Sequence, residues 1–321
     1  MSNNFDIDKE ISDLPVLILA YNRPEKLKKL LLILSSKFSN IYLAIDGPKN
    51  NLDYGCFETQ GLGRQYFISN KNKLRISDVN LGLKDGVKAS LNWFFQKEKR
   101  GIILEDDLLF SPQGVDQFVS TFANFCESGT TILNLSNFIE EPATTGNGKS
   151  FNAFESNDFF MWGWYASDYF WKNYLEFEKE ESIKDLLELV NYFTQFRDKL
   201  FWLFIYLRLR FNQIDSWGYR ISIYCYIKKI KLLNPQNIIC VNQGLKDGTN
   251  FQSLTIYNKI MNRLTIDSDE YISYQPIVKK NKMISYQNYM IRTNPTLYQT
   301  LKNIFFFFIP IDKKIKKFIK R

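Results

Sequence analysis

The sequence contains no histidine among its 321 residues. This absence excludes Ser-His-Asp and Cys-His catalytic arrangements, an imidazole general base and the usual histidine-containing zinc sites. Acid–base chemistry and metal binding must therefore rely on carboxylates, of which the chain has 34.

Cysteine is also scarce, with four residues that lie far apart and form no Cys-x-x-Cys pair: Cys56, Cys126, Cys225 and Cys240. The spacing indicates neither a zinc knuckle nor a disulfide framework. We therefore expect a reducing, cytoplasmic setting.

Long apolar runs are absent as well. The two longest, Phe201–Leu207 and Ile304–Ile311, each have fewer than ten residues, whereas a membrane-spanning helix needs about 20. The polar stretch Met1–Lys9 carries no signal-peptide pattern. We expect a chain that neither crosses a membrane nor is exported.

Short apolar runs alternate with helix-like stretches over the first 135 residues. Such alternation is typical of a largely parallel sheet flanked by helices. Helices are predicted after Pro24 and after Gly82, and strands at Pro15–Tyr21, Ile41–Ile45, Leu74–Ile76 and Gly101–Leu104.

Beyond the polar stretch Glu140–Ser150 the composition becomes aromatic-rich and largely helix-like. Helices are predicted around Ile183–Phe196 and Ile221–Leu232, then a strand at Ile238–Val241 and a loop at Asn242–Phe251. The predicted division is a first half at 1–140, a second half at 141–300 and a basic, aromatic tail at 301–321.

Polar residues follow three of the predicted strands. They are Tyr21–Arg23, Asp46–Pro48 and Glu105–Asp107, and ligands of open α/β sheets bind beyond such strand ends. Three consecutive carboxylates repel one another, and a divalent cation that also binds a substrate diphosphate would relieve this repulsion. The alternative is a solvated acidic turn.

Four segments together resemble the amino-terminal half of GT-A glycosyltransferases related to eukaryotic N-acetylglucosaminyltransferase I. They are Pro15–Arg23, Ile45–Gly47, Asn80–Leu83 and Ile103–Leu108. The likeness is greater to bacterial relatives from surface-polysaccharide gene sets, often labelled glycosyltransferase family 2 or hemolytic-protein-like. It covers about the first 120 residues.

The resemblance implies a Rossmann-like GT-A fold and an enzyme that uses a nucleotide-diphosphate sugar, with UDP favoured, and Mn²⁺ or Mg²⁺. It also implies that the half at 1–140 binds the donor and that the half at 141–300 binds the acceptor. By position, Asp107 would bind the metal, and Asp106 and Glu105 would contact the ribose and the donor sugar. Arg23 would lie near the phosphates, and Asp46 would contact uracil or ribose. From the residues alone, Arg23 has the alternative of a surface arginine beside a helix start, and Asp46 could equally be a turn residue.

The resemblance also implies further site residues. Asn80 would shape a donor-side loop, or cap the helix that follows. Phe160–Trp164 resembles an aromatic segment between donor and acceptor sites, which makes Trp162 and Gly163 donor-binding candidates, although tryptophan-rich stretches are also typical of cores.

An inverting transfer needs a carboxylate that takes the proton of the acceptor hydroxyl. Asp215–Arg220 resembles the segment that holds the family's catalytic base, so Asp215 is the candidate. It could instead cap the predicted helix Ile221–Leu232. The stretch Asn242–Asn250 resembles a loop that orders over bound donor, but Asn250 stands where relatives often have histidine.

The predicted activity is therefore transfer of a hexose or N-acetylhexosamine to a saccharide or lipid-linked acceptor in surface polysaccharide synthesis. One alternative is a non-catalytic relative that binds glycans or nucleotide sugars. A sugar nucleotidyltransferase is less well supported, because Tyr21–Glu25 stands where a glycine-rich phosphate loop is expected.

Residues 302–321 hold seven basic residues against one acidic residue, although the whole chain has a net charge of only +8. Four consecutive phenylalanines, Phe305–Phe308, precede most of this charge. The combination favours peripheral contact with the inner, anionic face of a cytoplasmic membrane; a tail folded onto the body is the alternative. The nearly neutral remainder argues against nucleic-acid binding.

Overall fold

A computed structural model describes residues 12–110, 132–135, 153–235, 240–242, 264–266, 272–274 and 297–308. Its centre is a sheet of eight strands with helices packed on both faces. This confirms the predicted α/β class with a mostly parallel central sheet, and the arrangement is compatible with a Rossmann-like fold.

The first part of the chain alternates strands and helices. The elements are β1 (Val16–Ala20), α1 (Pro24–Ser35), β2 (Ile41–Ile45), α2 (Tyr54–Tyr66), β3 (Leu74–Ile76), α3 (Gly82–Phe95) and β4 (Arg100–Glu105). All residues of β1 and β2 are buried, because helices cover both faces of the sheet. Strands in that position are continuous apolar runs, which explains why the sequence predicted them well.

The remaining described chain adds eight strands and five helices. The strands are β5 (Leu108–Phe110), β6 (Ile132–Asn134), β7 (Ala153–Ser156), β8 (Trp164–Ser167), β9 (Leu232–Pro235), β10 (Cys240–Asn242), β11 (Leu264–Ile266) and β12 (Ile272–Tyr274). The helices are α4 (Asp168–Glu180), α5 (Ile183–Tyr192), α6 (Phe196–Arg210), α7 (Trp217–Ile227) and α8 (Leu297–Phe308).

The strand order in the large sheet is β3-β2-β1-β4-β8-β6-β9-β7. The first four strands are parallel, and β8 runs antiparallel to both β4 and β6. The chain moves outward from β1 through β2 to β3 and then returns to the other side of β1 as β4. This reversal places a topological switch point, the usual ligand crevice of open α/β sheets, between β1 and β4.

The two faces of the sheet pack against different helices. Val16 and Ile18 of β1 belong to a core that includes α1. Leu17 and Leu19 point to the opposite face and join a core formed with α3, α4 and α7, as the alternation of side chains along a strand requires. A third cluster joins α5, α6 and α7 around Trp202.

Some elements differ from the predictions. Helix α2 was not predicted, and α6 was noted only as an apolar run. Helix α7 begins at Trp217, four positions before the predicted start, because the Ser216 hydroxyl accepts the backbone N–H of Tyr219 and caps the helix there. The chain also leaves α7 at Ile227 and enters β9 at Leu232.

The predicted division at residue 140 falls between strands of one sheet, since β8 pairs directly with β4. Of the predicted loop Asn242–Phe251, residues 243–251 lie outside the described residues, as do the basic residues 309–321. None of the helices in the described ranges has the length and hydropathy of a membrane-spanning segment.

Candidate functional site

The carboxyl ends of β1 and β4 carry the three candidate acids and Arg23. Leu19 of β1 lies opposite Glu105 of β4 in the parallel register, so the residues that follow each strand emerge side by side. The backbone N–H of Asp106 donates to the carbonyl of Leu19 (3.0 Å). The structure therefore brings the first and fourth strand ends together, as the sequence predicted.

Arg23 joins the two aspartates. Its Nη1 donates to Asp107 Oδ2 at 2.6 Å and to Asp106 Oδ1 at 3.1 Å. Asp106 Oδ2 accepts the backbone N–H of Tyr21 (3.1 Å). Both aspartates are only 4% exposed, which contradicts the alternative of a solvated acidic turn.

The electrostatics of this group follow from burial and charge. Burial, and then the charge of Asp107, raise the pKa of Asp106, while Arg23 opposes the shift. Burial alone would lower the pKa of Arg23, but the charges of Asp107 and Asp106 outweigh it and raise that pKa. The two carboxylates destabilise each other and share one guanidinium.

A cleft of about 250 Å³ opens beside this group. We call it the β1–β4 cleft; its charged lining residues are Arg23, Asp46, Lys49, Glu105, Asp106 and Asp107. Met161 and Trp162 contribute apolar lining. With four acidic and two basic residues, the cleft has an excess of negative charge.

Glu105 projects into the cleft from the end of β4 and is half-buried. Its Oε2 accepts a hydrogen bond from Nδ2 of Asn242 (3.4 Å). Asn242 is positioned because β10 pairs antiparallel with β5, which places it opposite Leu108. The sequence analysis treated Asn242 only as the start of a loop; its position directly after a predicted strand was the signal that could have identified it.

Asp46 is bound by the turn between β3 and α3. Its Oδ1 accepts the backbone N–H groups of Gly47 (2.9 Å) and Leu81 (3.0 Å), and its Oδ2 accepts that of Gly82 (3.0 Å). Asn80 Nδ2 donates both to Asp46 Oδ2 (3.1 Å) and to the carbonyl of Gly47 (2.8 Å). Asp46 and Asn80 therefore line the cleft and also hold its wall together.

Gly47 allows the ends of β2 and β3 to approach this closely. A Cβ at this position would lie 2.2 Å from the backbone carbonyl carbon of Val79, so any larger residue would push the two strand ends apart.

Asp215 lies next to the start of α3 rather than in the cleft lining. Its Oδ1 accepts the backbone N–H of Lys84 (3.0 Å), and its Oδ2 would lie 3.3 Å from a Cβ on Gly82. Its side chain is exposed. The alternative role as cap of α7 falls to Ser216; Asp215 instead caps α3, across a long separation in sequence.

The aromatic segment Phe160–Trp164 contributes residues both to the cleft lining and to the core. Trp162 lines the cleft, whereas Gly163 occupies a turn with a φ of +81°. A Cβ on Gly163 would lie 3.2 Å from Leu135 Cβ and 3.3 Å from Cys240 Sγ. Gly163 is therefore required by backbone conformation and packing, and it acts on the cleft only by positioning Trp162.

Tyr21 was not assigned a role from the sequence, yet its side chain lines the cleft. Its hydroxyl donates to Asp53 Oδ2, and Lys49 Nζ lies 5.1 Å from the centre of its ring. Burial, together with the hydrogen bond and charge of Asp53, raises the pKa of Tyr21. The hydroxyl thus stays protonated, and the ring forms a fixed aromatic wall.

Comparisons with known proteins do not identify a family. No protein-family model matches the chain, and no curated protein matches it either.

Proposed function

We propose that the protein is a metal-dependent GT-A glycosyltransferase that moves a sugar from a nucleotide-diphosphate donor to a saccharide acceptor. A UDP-sugar is the favoured donor. The observation that carries the proposal is the buried Asp106–Asp107 pair, held by Arg23 at the switch point of a parallel sheet. A nucleotide diphosphate is anionic, and a cleft with excess negative charge needs a cation to accept it.

The residues of the cleft fit a hard divalent cation such as Mn²⁺ or Mg²⁺. Within the described ranges, no group of three or more acidic or cysteine side chains is arranged to hold a metal. Mg²⁺ does not require such a group, because it commonly takes one or two protein carboxylates and completes its shell with water and substrate phosphate. Asp107, assisted by Asp106, would hold the ion, which would neutralise the charge that develops on the leaving nucleotide.

Arg23 supplies a positive charge that can exchange carboxylate partners for phosphate. Its side chain is 28% exposed, and its fork of donors suits phosphate oxygens as well as carboxylates. Arriving phosphates would compete with Asp106 and Asp107 for the guanidinium. In this role Arg23 stabilises the carboxylates before the donor binds and contacts the donor afterwards.

Glu105 and Trp162 suit recognition of the sugar. The Glu105 carboxylate, oriented by Asn242, can accept hydrogen bonds from hydroxyl groups. The half-buried Trp162 offers an aromatic face to the apolar side of a sugar ring. Tyr21 could pack in the same way against the flat face of a nucleobase.

Asp215 is our candidate for the general base. The exposed carboxylate lies at the cleft rim beside Gly82, a cleft-lining residue, and the Lys84 N–H orients it. An acceptor entering over this rim would present its hydroxyl to Asp215.

A second candidate function is binding of nucleotide sugars without turnover. The observation that favours it is the position of Asp215 outside the cleft lining, which leaves the cleft with a donor site but no base.

Release of UDP from UDP-hexose and UDP-N-acetylhexosamine, measured with saccharide acceptors and Mn²⁺, tests the proposal. We expect Asp107→Asn to abolish release, and Asp215→Asn to lower kcat about a hundredfold or more while donor binding persists. Asp85→Asn, another exposed carboxylate at the start of α3, is the matched control. Donor binding without turnover in the unmodified protein would favour the second function, and full activity of Asp107→Asn would refute the metal assignment.

A further inference from the structure

Helix α8 has an inverted distribution of polar and apolar residues. Thr300 and Asn303 are buried, with 2% and 8% exposure. Four large apolar residues on the opposite side are between 50% and 71% exposed: Leu297, Tyr298, Leu301 and Phe305. We call these four residues the α8 outer face.

Specific contacts with α6 and the turn after it hold α8 in this orientation. Arg208 Nη1 donates to Asn303 Oδ1, and Gln213 Nε2 donates to the carbonyl of Phe307 at 3.2 Å. The rings of Phe204 and Phe307 pack edge to face with 5.5 Å between their centres. Because the polar side of α8 is anchored by these bonds, the apolar side points outward as a consequence of the fold.

A further exposed aromatic residue lies beside α8. Phe211, which follows α6, is 62% exposed and its ring centre lies 5.8 Å from that of Phe307. Large apolar side chains that are exposed on one helix face often mark contact with a membrane or with another protein.

Charge next to the α8 outer face distinguishes between these two partners. Lys302 is exposed on the same helix, and its Nζ lies 5.8 Å from the ring centre of Tyr298 and 5.9 Å from that of Phe306. Residues 309–321, directly after α8, contain six basic residues and one acidic residue. Aromatic residues flanked by lysines are typical of the interface between lipid headgroups and acyl chains.

We propose that the α8 outer face docks the protein on an anionic phospholipid surface. The apolar side chains would insert at the level of the headgroups, and the lysines would bind acidic lipids. A second copy of this chain is disfavoured as the partner, because the basic segments 309–321 of the two copies would repel each other. The inference does not depend on the proposed transferase activity.

Flotation of the full chain with vesicles tests this inference. We expect binding to vesicles that contain phosphatidylglycerol, weak binding to vesicles of phosphatidylcholine alone, and loss of binding at high salt. The double variant Leu301→Ser/Phe305→Ser, and separately Lys316→Gln/Lys317→Gln, should each lower the partition coefficient on the order of tenfold.

The control variant Leu32→Ser/Ile68→Ser removes two apolar residues that are 66% and 70% exposed elsewhere on the surface. It should bind vesicles as the unmodified protein does, and circular dichroism should show that all variants are folded. Equal binding of the Leu301→Ser/Phe305→Ser and control variants would overturn the proposal. So would a dimer in analytical ultracentrifugation that the Leu301→Ser/Phe305→Ser change dissociates, since the α8 outer face would then bind a second copy.

Discussion

The β1–β4 cleft and the α8 outer face depart in opposite ways from the usual distribution, in which charged residues are exposed and large apolar residues are buried. The cleft buries two carboxylates at 4% exposure each, whereas α8 exposes four large apolar side chains. Charged residues are rarely buried without a partner, and large apolar patches are rarely exposed without one. Each departure is the observation on which one of the two proposals rests.

The two regions also differ in the interactions that offset their unusual burial or exposure. In the cleft, Arg23 offsets part of the cost of burying Asp106 and Asp107 through hydrogen bonds. On α8 the compensation lies on the other side of the helix, where Asn303 accepts a hydrogen bond from Nη1 of the buried Arg208. In the cleft, two buried carboxylates therefore share one guanidinium, whereas α8 is anchored by polar bonds so that its apolar side stays exposed.

Arg23→Met gives the largest effect expected from this comparison. The substitution keeps an unbranched apolar stem but leaves two buried carboxylates without the guanidinium, so we expect a loss of about 3 kcal/mol in the free energy of unfolding. Urea denaturation measures it, with the exposed Arg64→Met as control. Millimolar Mn²⁺ should restore part of the loss by replacing the missing charge. Equal stability of the two variants would mean that Arg23 does not stabilise the pair.

Asn303→Ala and Phe305→Ser compare the two sides of α8. Asn303→Ala leaves the Arg208 guanidinium, 9% exposed, without this acceptor and should lower the free energy of opening α8 by about 2 kcal/mol. Phe305→Ser should change it by less than about 0.5 kcal/mol, because that side chain is already half exposed. Hydrogen exchange of the α8 amides measures both values. A larger loss for Phe305→Ser would show that the outer face packs on this chain.

Asp158 extends the comparison to a partly buried acid that accepts a hydrogen bond from a hydroxyl instead of a guanidinium. Burial raises the pKa of Asp158 to about 6, opposed only weakly by the hydrogen bond from the Tyr226 hydroxyl (2.8 Å). The neighbouring Tyr192 and Cys225 are neutral between pH 4 and pH 7, since burial raises the pKa of each above an ordinary value that already exceeds 7.

The folded pKa of Asp158 lies above its ordinary value near 4, so its contribution to stability is present below about pH 4 and is lost as the pH rises through 6. Since the side chain is only partly buried, we expect Asp158→Asn to gain about 1–2 kcal/mol relative to the unmodified protein between pH 4 and pH 7. Thermal unfolding across this range measures the gain, with the exposed Asp78→Asn as control. A pH-independent difference would contradict the shifted pKa.

The sequence predicted the parallel strands of the sheet because each is buried on both faces and reads as a continuous apolar run. It did not predict α2, whose buried face consists of Cys56, Thr59, Gln60 and Gly63. Small and polar residues allow that helix to pack closely on β2, with Gly63 against Ile45, but they leave no apolar periodicity. Helix α6 was missed for the opposite reason, since its central run is apolar on all sides and has no stripe.

The site was predictable where it depends on strand ends and not where it depends on loop contacts. Arg23, Asp106 and Asp107 follow β1 and β4, so their meeting follows from the parallel order of these strands. Asp46 accepts hydrogen bonds from the backbone N–H groups of Leu81 and Gly82, and Asp215 accepts one from the backbone N–H of Lys84. These bonds depend on how loops approach α3. No local pattern in the sequence encodes these approaches.

Binding of UDP to the unmodified protein and to Asp107→Asn, measured by calorimetry with and without Mn²⁺, tests the central claim most directly. We predict that Mn²⁺ tightens binding to the unmodified protein at least about tenfold, equivalent to about 1.4 kcal/mol, and has no such effect on Asp107→Asn. UDP affinity that is the same with and without Mn²⁺ in both proteins would contradict a cation-dependent donor site at the β1–β4 cleft.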